Sequence, residues 1–199
     1  MRVSKSALTA LLVVAAVAAV VVFDFIQRSN LPVHRAAVSR RQGDPRAALK
    51  IIEYADFQCP NCAKGWALLK KYISENPDEV YLQMKYYPLN EPYSFSSALY
   101  AECAAQQGKF WPFADLLFET QSRWRLLPDA QREWRKLATQ VGLDLKELDE
   151  CVQGPAARAV VAADQQEGAT HRIQSTPTYF INGDIIVGPE SLQKRLSPL

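Results

Sequence analysis

The sequence predicts an α/β domain, a mixed β-sheet flanked by helices with an all-helical insertion, preceded by an N-terminal transmembrane helix. Three observations carry this. Residues near the N-terminus form a long uncharged apolar run; two β-prone runs enclose a helix-length segment; and a second pair of β runs, joined by Asn182-Gly183, follows a stretch of unbroken helical spacing.

Arg2 and Lys5 precede an uncharged, mostly apolar stretch from Ser6 to Phe23, about 27 Å long as a helix and so just able to cross the hydrocarbon core. Positive charge at its start keeps the N-terminus in the cytoplasm and exports the rest. Residues 1–26 are therefore expected to form a single-pass anchor in the cytoplasmic membrane, with the domain in the cell envelope on the extracytoplasmic side. The rival is a signal peptide cleaved after Ala16-Val17-Ala18, leaving a protein secreted to the periplasm. The apolar run continues through Ala19 to Phe23, which favours the anchor.

Residues 27–48 lack sustained periodicity, and Pro32 and Gly43-Asp44-Pro45 mark a polar tether ending in a turn. Arg28, Arg35, Arg40, Arg41 and Arg46 lie along it as solvated charge, with contact to anionic lipid headgroups as a second reading. Residues 49–199 then suit one domain. A formal net charge of +2, with no basic run interleaved with aromatics, excludes nucleic acid as a partner.

Leu49 to Tyr54 is short, apolar and β-prone, and is expected to be the central strand. A helix follows from Ala63 to Ser74, stopped by Asn76-Pro77, and then a strand from Val80 to Tyr87 stopped by Pro88. That order is a βαβ unit. From about 95 to 168 the spacing is helical, in pieces near Ser97–Gln107, Trp111–Glu119, Asp129–Val141, Leu145–Val152 and Ala156–Glu167. Gly108, Pro128, Gly142 and Gly154-Pro155 separate the pieces. Their aromatics, Phe110, Trp111, Phe113, Phe118, Trp124 and Trp134, are expected in the core and packing surfaces. After Ser175-Thr176-Pro177 come a β run Thr178–Ile181, the hairpin turn Asn182-Gly183, a second run Ile185–Val187 and a helix from Glu190 to Leu196.

Cys59-Pro60-Asn61-Cys62 stands between the first strand and the first helix. Pro60 supplies the φ suited to a first helical position, so Cys59 sits at the helix N-terminus and Cys62 one turn deeper on the same face. The pair can close a disulfide. Unpaired N–H groups and the helix dipole stabilise a thiolate at Cys59, which makes that disulfide oxidising. A zinc site would need a second Cys pair or a Cys/His pair at finger spacing. Cys103 and Cys151 are isolated, and His34 and His171 lie far from any cysteine pair, so no metal is expected. Nor is a cofactor beyond the Cys59–Cys62 disulfide itself.

Cys103 and Cys151 fall in two different helical pieces. Joined, they would close a loop of about 49 residues and add about 4 kcal/mol on the chain-entropy model. Unjoined, they would be buried thiols acting as small hydrophobes. Export favours the bridge.

Three segments together resemble the DsbA-like thioredoxin-fold thiol-disulfide oxidoreductases: Asp56-Phe57-Gln58-Cys59-Pro60-Asn61-Cys62, Cys103-Ala104-Ala105-Gln106-Gln107-Gly108-Lys109-Phe110-Trp111 and Thr176-Pro177-Thr178-Tyr179-Phe180-Ile181-Asn182-Gly183. The likeness covers about Asp44 to Leu196. It implies a thioredoxin fold, a cis bond at Thr176-Pro177 and a loop there lying against the reactive disulfide. It assigns catalysis to Cys59, Cys62 and Glu53, the last as a buried acid that accepts the Cys62 thiol proton. Thr176, Pro177, Pro60 and Asn61 are assigned to substrate binding. Asn61 stands where the best-known oxidase of the family has His, and an amide without charge implies a less oxidising disulfide.

The expected function is thiol-disulfide exchange on unfolded or partly folded exported proteins with free thiols, most simply disulfide introduction, with a membrane redox partner resetting the active site. The alternatives are a disulfide reductase or isomerase using the same residues, or a membrane-tethered chaperone-like binding module.

Overall fold

The computed structural model describes residues 14–23 and 40–197. Residues 14–23 are helical with exposed side chains, and among the described residues no helix is long and apolar enough to cross a membrane. The expected span from Ser6 lies partly, and the tether over 27–39 wholly, outside the described residues.

The sheet has five strands in the order β1-β3-β2-β4-β5. These are β1 (Arg41–Gln42), β2 (Leu49–Ala55), β3 (Val80–Tyr86), β4 (Thr178–Ile181) and β5 (Asp184–Val187). β2 and β3 run parallel, joined across helix α1 (Pro60–Glu75), and the other three pairings are antiparallel. This is the βαβ-then-ββα sheet that the sequence predicts. Asn182 and Gly183 both take positive φ, 51° and 97°, as the tight β4–β5 hairpin requires. Asn182 also accepts from the Lys50 N–H at 2.9 Å and donates to the Ala48 carbonyl at 2.9 Å, tying that hairpin to the start of β2.

The insertion holds α2 (Ser94–Gln106), α3 (Phe110–Glu119), α4 (Gln121–Trp124), α5 (Gln131–Gln140), α6 (Leu145–Gln153) and α7 (Pro155–Thr170), and α8 (Pro189–Leu196) closes the domain. Two apolar clusters result. One joins α1, the insertion and one end of the sheet around Trp66, Phe110, Phe113, Trp124 and Trp134. The other packs Leu69 of α1 and Leu192 of α8 on Ile51, Leu82, Tyr179 and Ile181. Five of the six insertion aromatics are buried, and Trp111 is half-buried, stacked on Trp66 with ring centroids 5.7 Å apart. Cys103 on α2 and Cys151 on α6 are joined, clamping two helices of the insertion.

Two boundaries differ from expectation. Helix α1 begins at Pro60, three residues before Ala63, because the helix starts inside the Cys-Pro-Asn-Cys motif. The domain begins before residue 49, so the tether does not extend to 48. Arg41 and Gln42 pair with Gln83 and Leu82 as an edge strand, and Ala47 is buried. Arg40 turns inward rather than toward water or lipid, forming ion pairs with Asp164 and Glu102. Arg46 is exposed and pairs with Asp44 at 2.9 Å. The hydrophobic pattern missed these because β1 is held by backbone hydrogen bonds, and Arg40 by a residue 124 positions away.

Candidate active site

The turn from β2 into α1 is built on Asp56. Its buried carboxylate accepts from the Gln58 N–H at 2.8 Å, the Leu89 N–H at 2.8 Å and the Ser94 hydroxyl at 2.6 Å, while its carbonyl accepts from the Cys59 N–H at 3.1 Å. Burial pushes the Asp56 carboxyl upward, and those three donors oppose the shift. From the insertion, the Gln121 amide donates to the carbonyls of Phe57 at 2.7 Å and Cys59 at 2.9 Å. Gln58, also buried, accepts from the Tyr93 N–H at 2.6 Å. The loop carrying the first cysteine is thus fixed from three directions before any sulfur chemistry begins.

Cys59 is the N-cap of α1, with extended backbone (φ −75°, ψ 120°) and Pro60 at the first helical turn. Both Cys59 and Cys62 are free thiols. Cys59 is half-buried and donates to the Thr176 carbonyl at 3.4 Å. Cys62 is fully buried, and its sulfur accepts from the Asp56 N–H at 3.4 Å. The two thiols are pulled in opposite directions. Cys59 is lowered to about 6, chiefly by a hydrogen bond from the Cys62 thiol, with the Thr176 side chain and the Cys62 and Asn61 N–H groups adding to it against the cost of burial. Cys62 is pushed well above its ordinary value, first by burial and then by Cys59 beside it. A low-lying thiolate at the mouth and a protonated thiol beneath it are an arrangement in which one sulfur can attack and the other resolve.

The Thr176-Pro177 bond is cis, and the Thr176 backbone lies against Cys59. The Thr176 hydroxyl is buried and completes no hydrogen bond among the described residues. It is free to donate to the Cys59 sulfur once that sulfur is ionised, when the thiol no longer donates to the Thr176 carbonyl. Glu53 lies on the central strand between Met84 of β3 and Tyr179 of β4, fully buried. Burial raises its carboxyl to about 8, so at neutral pH it carries a proton that it can give or take.

The structure therefore gathers Cys59, Pro60, Asn61, Cys62, Thr176, Pro177 and Glu53 at the junction of β2, α1 and β4. Cys103 and Cys151 are not part of it. Sequence reasoning passed over Asp56 and Gln121. Asp56, three residues before Cys59, has the spacing of a turn-forming side chain; Gln121, 62 residues from the carbonyl it serves, gives no signal. Gly65 and Tyr179 were missed as well. Glycine inside a helix costs about 0.5–1 kcal/mol relative to alanine, and at Gly65 a Cβ would lie 2.0 Å from the Tyr179 hydroxyl oxygen.

The Cys59 shift has a measurable consequence for stability. Its folded pKa lies below the ordinary value of 9, so the contribution is complete above pH 9, shrinks as pH falls, and is gone below about 6. Glu53 is present in both redox forms and works in the opposite sense between 4.5 and about 8. Cys62 titrates in the reduced form as well, but its raised thiol works in the opposite sense only from near its ordinary value of 9 upward, so below that the difference between reduced and oxidised protein reports chiefly Cys59. A drop from 9 to about 6 at ~1.4 kcal/mol per pH unit is worth about 4 kcal/mol in a dry site, and screening at a half-buried sulfur reduces this to about 2 kcal/mol. Thermal melts should show the reduced form gaining about 4–8 °C on the oxidised form between pH 5.5 and 9. A gap that stays constant across that range would contradict the assignment.

A family model described as thioredoxin matches residues 36–197. Among curated proteins, the Na(+)/H(+) antiporter NhaA 1 of Mycobacterium sp. (strain KMS) is 32% identical over 155 residues, covering 74% of this chain and 24% of that protein. The protein of the same name from Mycolicibacterium vanbaalenii is 29% identical over 150 residues, covering 72% of this chain and 23% of the other. The chain thus spans about a quarter of the length of these relatives. Among solved structures, BdbD of Bacillus subtilis in its oxidised form superposes with a TM-score of 0.69 at 20% identity, over 79% of this chain and 90% of that one. A thioredoxin-like oxidoreductase of Silicibacter pomeroyi gives 0.67 at 23%, over 84% and 94%. The α-DsbA1 protein of Wolbachia pipientis gives 0.67 at 18%, over 79% and 88%. At these identities the likeness is one of fold.

Proposed function

The chain belongs to the thioredoxin family, and from that premise we propose that it is a thiol-disulfide oxidoreductase that introduces disulfides into exported proteins through Cys59 and Cys62. One observation carries the reading: Cys59 stands half-buried as the N-cap of α1 against the Thr176 carbonyl while Cys62 is fully buried beneath it, a placement that draws the first thiol down to about 6 and pushes the second up. A thiolate that the fold stabilises is a good leaving group and favours the reduced enzyme, so the disulfide tends to pass to the substrate.

In the forward reaction a substrate thiolate attacks Cys59 of the Cys59–Cys62 disulfide. The S–S bond breaks, and Cys62 leaves and takes the proton held by Glu53. A second substrate thiolate then attacks the substrate sulfur of the mixed disulfide, and Cys59 departs as its stabilised thiolate. The substrate loses two electrons and becomes a disulfide; the enzyme gains them and becomes a dithiol. The Thr176 backbone beside Cys59 is placed to align an extended substrate chain, with Pro177, Pro60 and Asn61 around it.

The working place we assign is the extracytoplasmic side of the cell envelope, with residues 1–26 as anchor and a membrane redox partner withdrawing the electrons. The apolar run from Ser6 to Phe23 supports the anchor, and the Cys103–Cys151 disulfide supports an oxidising compartment. The substrates are unfolded or partly folded proteins with free thiols. Antiporter activity is not carried over from the relatives, of which this chain matches only a minor part.

The uncharged Asn61 favours a second reading, a reductase or isomerase, since nothing at that position adds positive charge beside the Cys59 sulfur. Equilibration with glutathione decides between the two. An oxidase is expected between about −120 and −200 mV, and a value near the ~−270 mV of thioredoxin would reverse the direction.

A further inference from the structure

Glu53 and Tyr179 are directly opposed on antiparallel strands, so their side chains project to the same face of the sheet, beneath α1. Both are fully buried. The Tyr179 hydroxyl reaches the underside of α1 at Gly65, one turn beyond Cys62: a Cβ there would lie 2.0 Å from the hydroxyl oxygen and 3.3 Å from the ring carbon that bears it. The titratable groups facing the Glu53–Tyr179 pair are Cys62 and Cys59 from α1, while β3 presents Met84. The hydroxyl faces the Glu53 carboxyl, yet neither carboxyl oxygen nor the hydroxyl completes a hydrogen bond among the described residues. Three buried polar atoms in one place, each short of a closed bond, are costly at rest and well placed to close on one another when Glu53 becomes charged.

We propose that Tyr179 is a positioning residue for Glu53, its hydroxyl donating to the Glu53 carboxylate as that acid takes the Cys62 proton, and that Gly65 is the gap in α1 that admits the hydroxyl. This rests on the redox reading of Cys59 and Cys62. The step it serves is closure of the active-site disulfide. With Cys59 joined to a partner sulfur, the Cys62 thiol gives its proton to Glu53, and the resulting thiolate attacks Cys59. The Cys59–Cys62 bond forms, and the partner leaves as a thiolate that takes up a proton from water. A hydroxyl that donates to the charged form of Glu53 keeps more of it ionised at neutral pH and so speeds that transfer.

The test uses the reduced protein and excess glutathione disulfide, following release of the second glutathione from pH 5 to 9.5. In Tyr179→Phe, the midpoint of the rising limb is expected to move up by about one pH unit, slowing release about tenfold at pH 7. The first phase, attack by Cys59, should change less than twofold. In Glu53→Gln the limb disappears, and adding Tyr179→Phe should slow it no further. Gly65→Ala should reproduce the Tyr179→Phe shift by displacing the hydroxyl, and should add nothing in the Tyr179→Phe background. An unmoved midpoint in Tyr179→Phe, or an equal loss with and without Glu53, overturns the proposal. The antisymmetric carboxylate stretch of ionised Glu53, read in the infrared spectrum above about pH 9, gives a reading independent of exchange, expected to move to higher frequency in Tyr179→Phe as the donated hydrogen bond is lost. If the parent protein shows that pairing but exchanges no disulfide, the redox reading has failed and the pairing has not.

Discussion

Replacing Cys59 by serine is expected to abolish disulfide exchange, with a loss on the order of 10³-fold or more, while the fold survives. A serine hydroxyl does not ionise near neutral pH, and it cannot form the S–S bond on which both half-reactions depend. Cys59 is half-buried at the start of α1, and the oxygen can still donate to the Thr176 carbonyl, so little packing is lost. Cys62→Ser should behave differently. The attacking sulfur remains, the resolving sulfur is gone, and mixed disulfides between Cys59 and substrate accumulate, visible as adducts on non-reducing gels. Exchange that persists in Cys59→Ser, or an absence of adducts in Cys62→Ser, would remove the assignment. The Cys59→Ala, Cys62→Ala double variant separates exchange from chaperone-like holding, because refolding assistance that survives in it cannot come from sulfur chemistry.

Much of this site is legible in the chain because its chemistry is local. A proline after a cysteine fixes a helix start and a second cysteine three residues on fixes a shared face, whereas the cis bond at Thr176-Pro177 and its place beside Cys59 are implied by the family resemblance, a proline before a β run being trans by default. The strands and the Asn182-Gly183 hairpin follow from alternation and turn chemistry that act over a few residues. What the sequence does not announce is which distant side chain completes a local one. Gln121 is an ordinary polar residue until the fold sets it against the Cys59 carbonyl. Tyr179 resembles its neighbour Phe180 as one more β-prone aromatic, yet its hydroxyl ends beside the buried acid. Gly65 reads as a weak point in α1, and its reason lies on a strand more than a hundred residues away. Periodicity reports that a residue is buried; it carries no information about the partner.

Arg40 shows the same limit at its most costly, and Arg40→Met is expected to destabilise the domain by about 3–5 kcal/mol, on the order of 10 °C in Tm. Arg40 and Arg41 are adjacent and chemically identical, but Arg41 is exposed and Arg40 is buried. The Arg40 guanidinium pairs with Asp164 of α7, lies 3.5 Å from Glu102 of α2, donates to the Met84 carbonyl at 3.3 Å and sits 4.5 Å above the Tyr86 ring. It thus ties the start of the domain to the insertion and to β3. Without it, Asp164 keeps the Tyr86 N–H at 3.0 Å and Lys85 at 3.7 Å, but Glu102 loses its cation and keeps only the Tyr86 hydroxyl at 3.1 Å and a long contact with Gln106. Burial already raises Glu102 to about 7, against the pull of Arg40. A raised folded pKa means that its contribution to stability is full below its ordinary 4.5 and is lost as pH rises through about 7. Removing Arg40 raises that pKa further, so the variant keeps losing stability above pH 7 where the parent has levelled off. The deficit should therefore be larger at pH 8 than at pH 5, and Glu102→Gln should restore part of it. Chemical denaturation of the parent, the single variant and the double variant at both pH values measures this directly. A deficit below 1 kcal/mol that is the same at pH 5 and 8 would mean that water, rather than Arg40, compensates the two buried carboxylates.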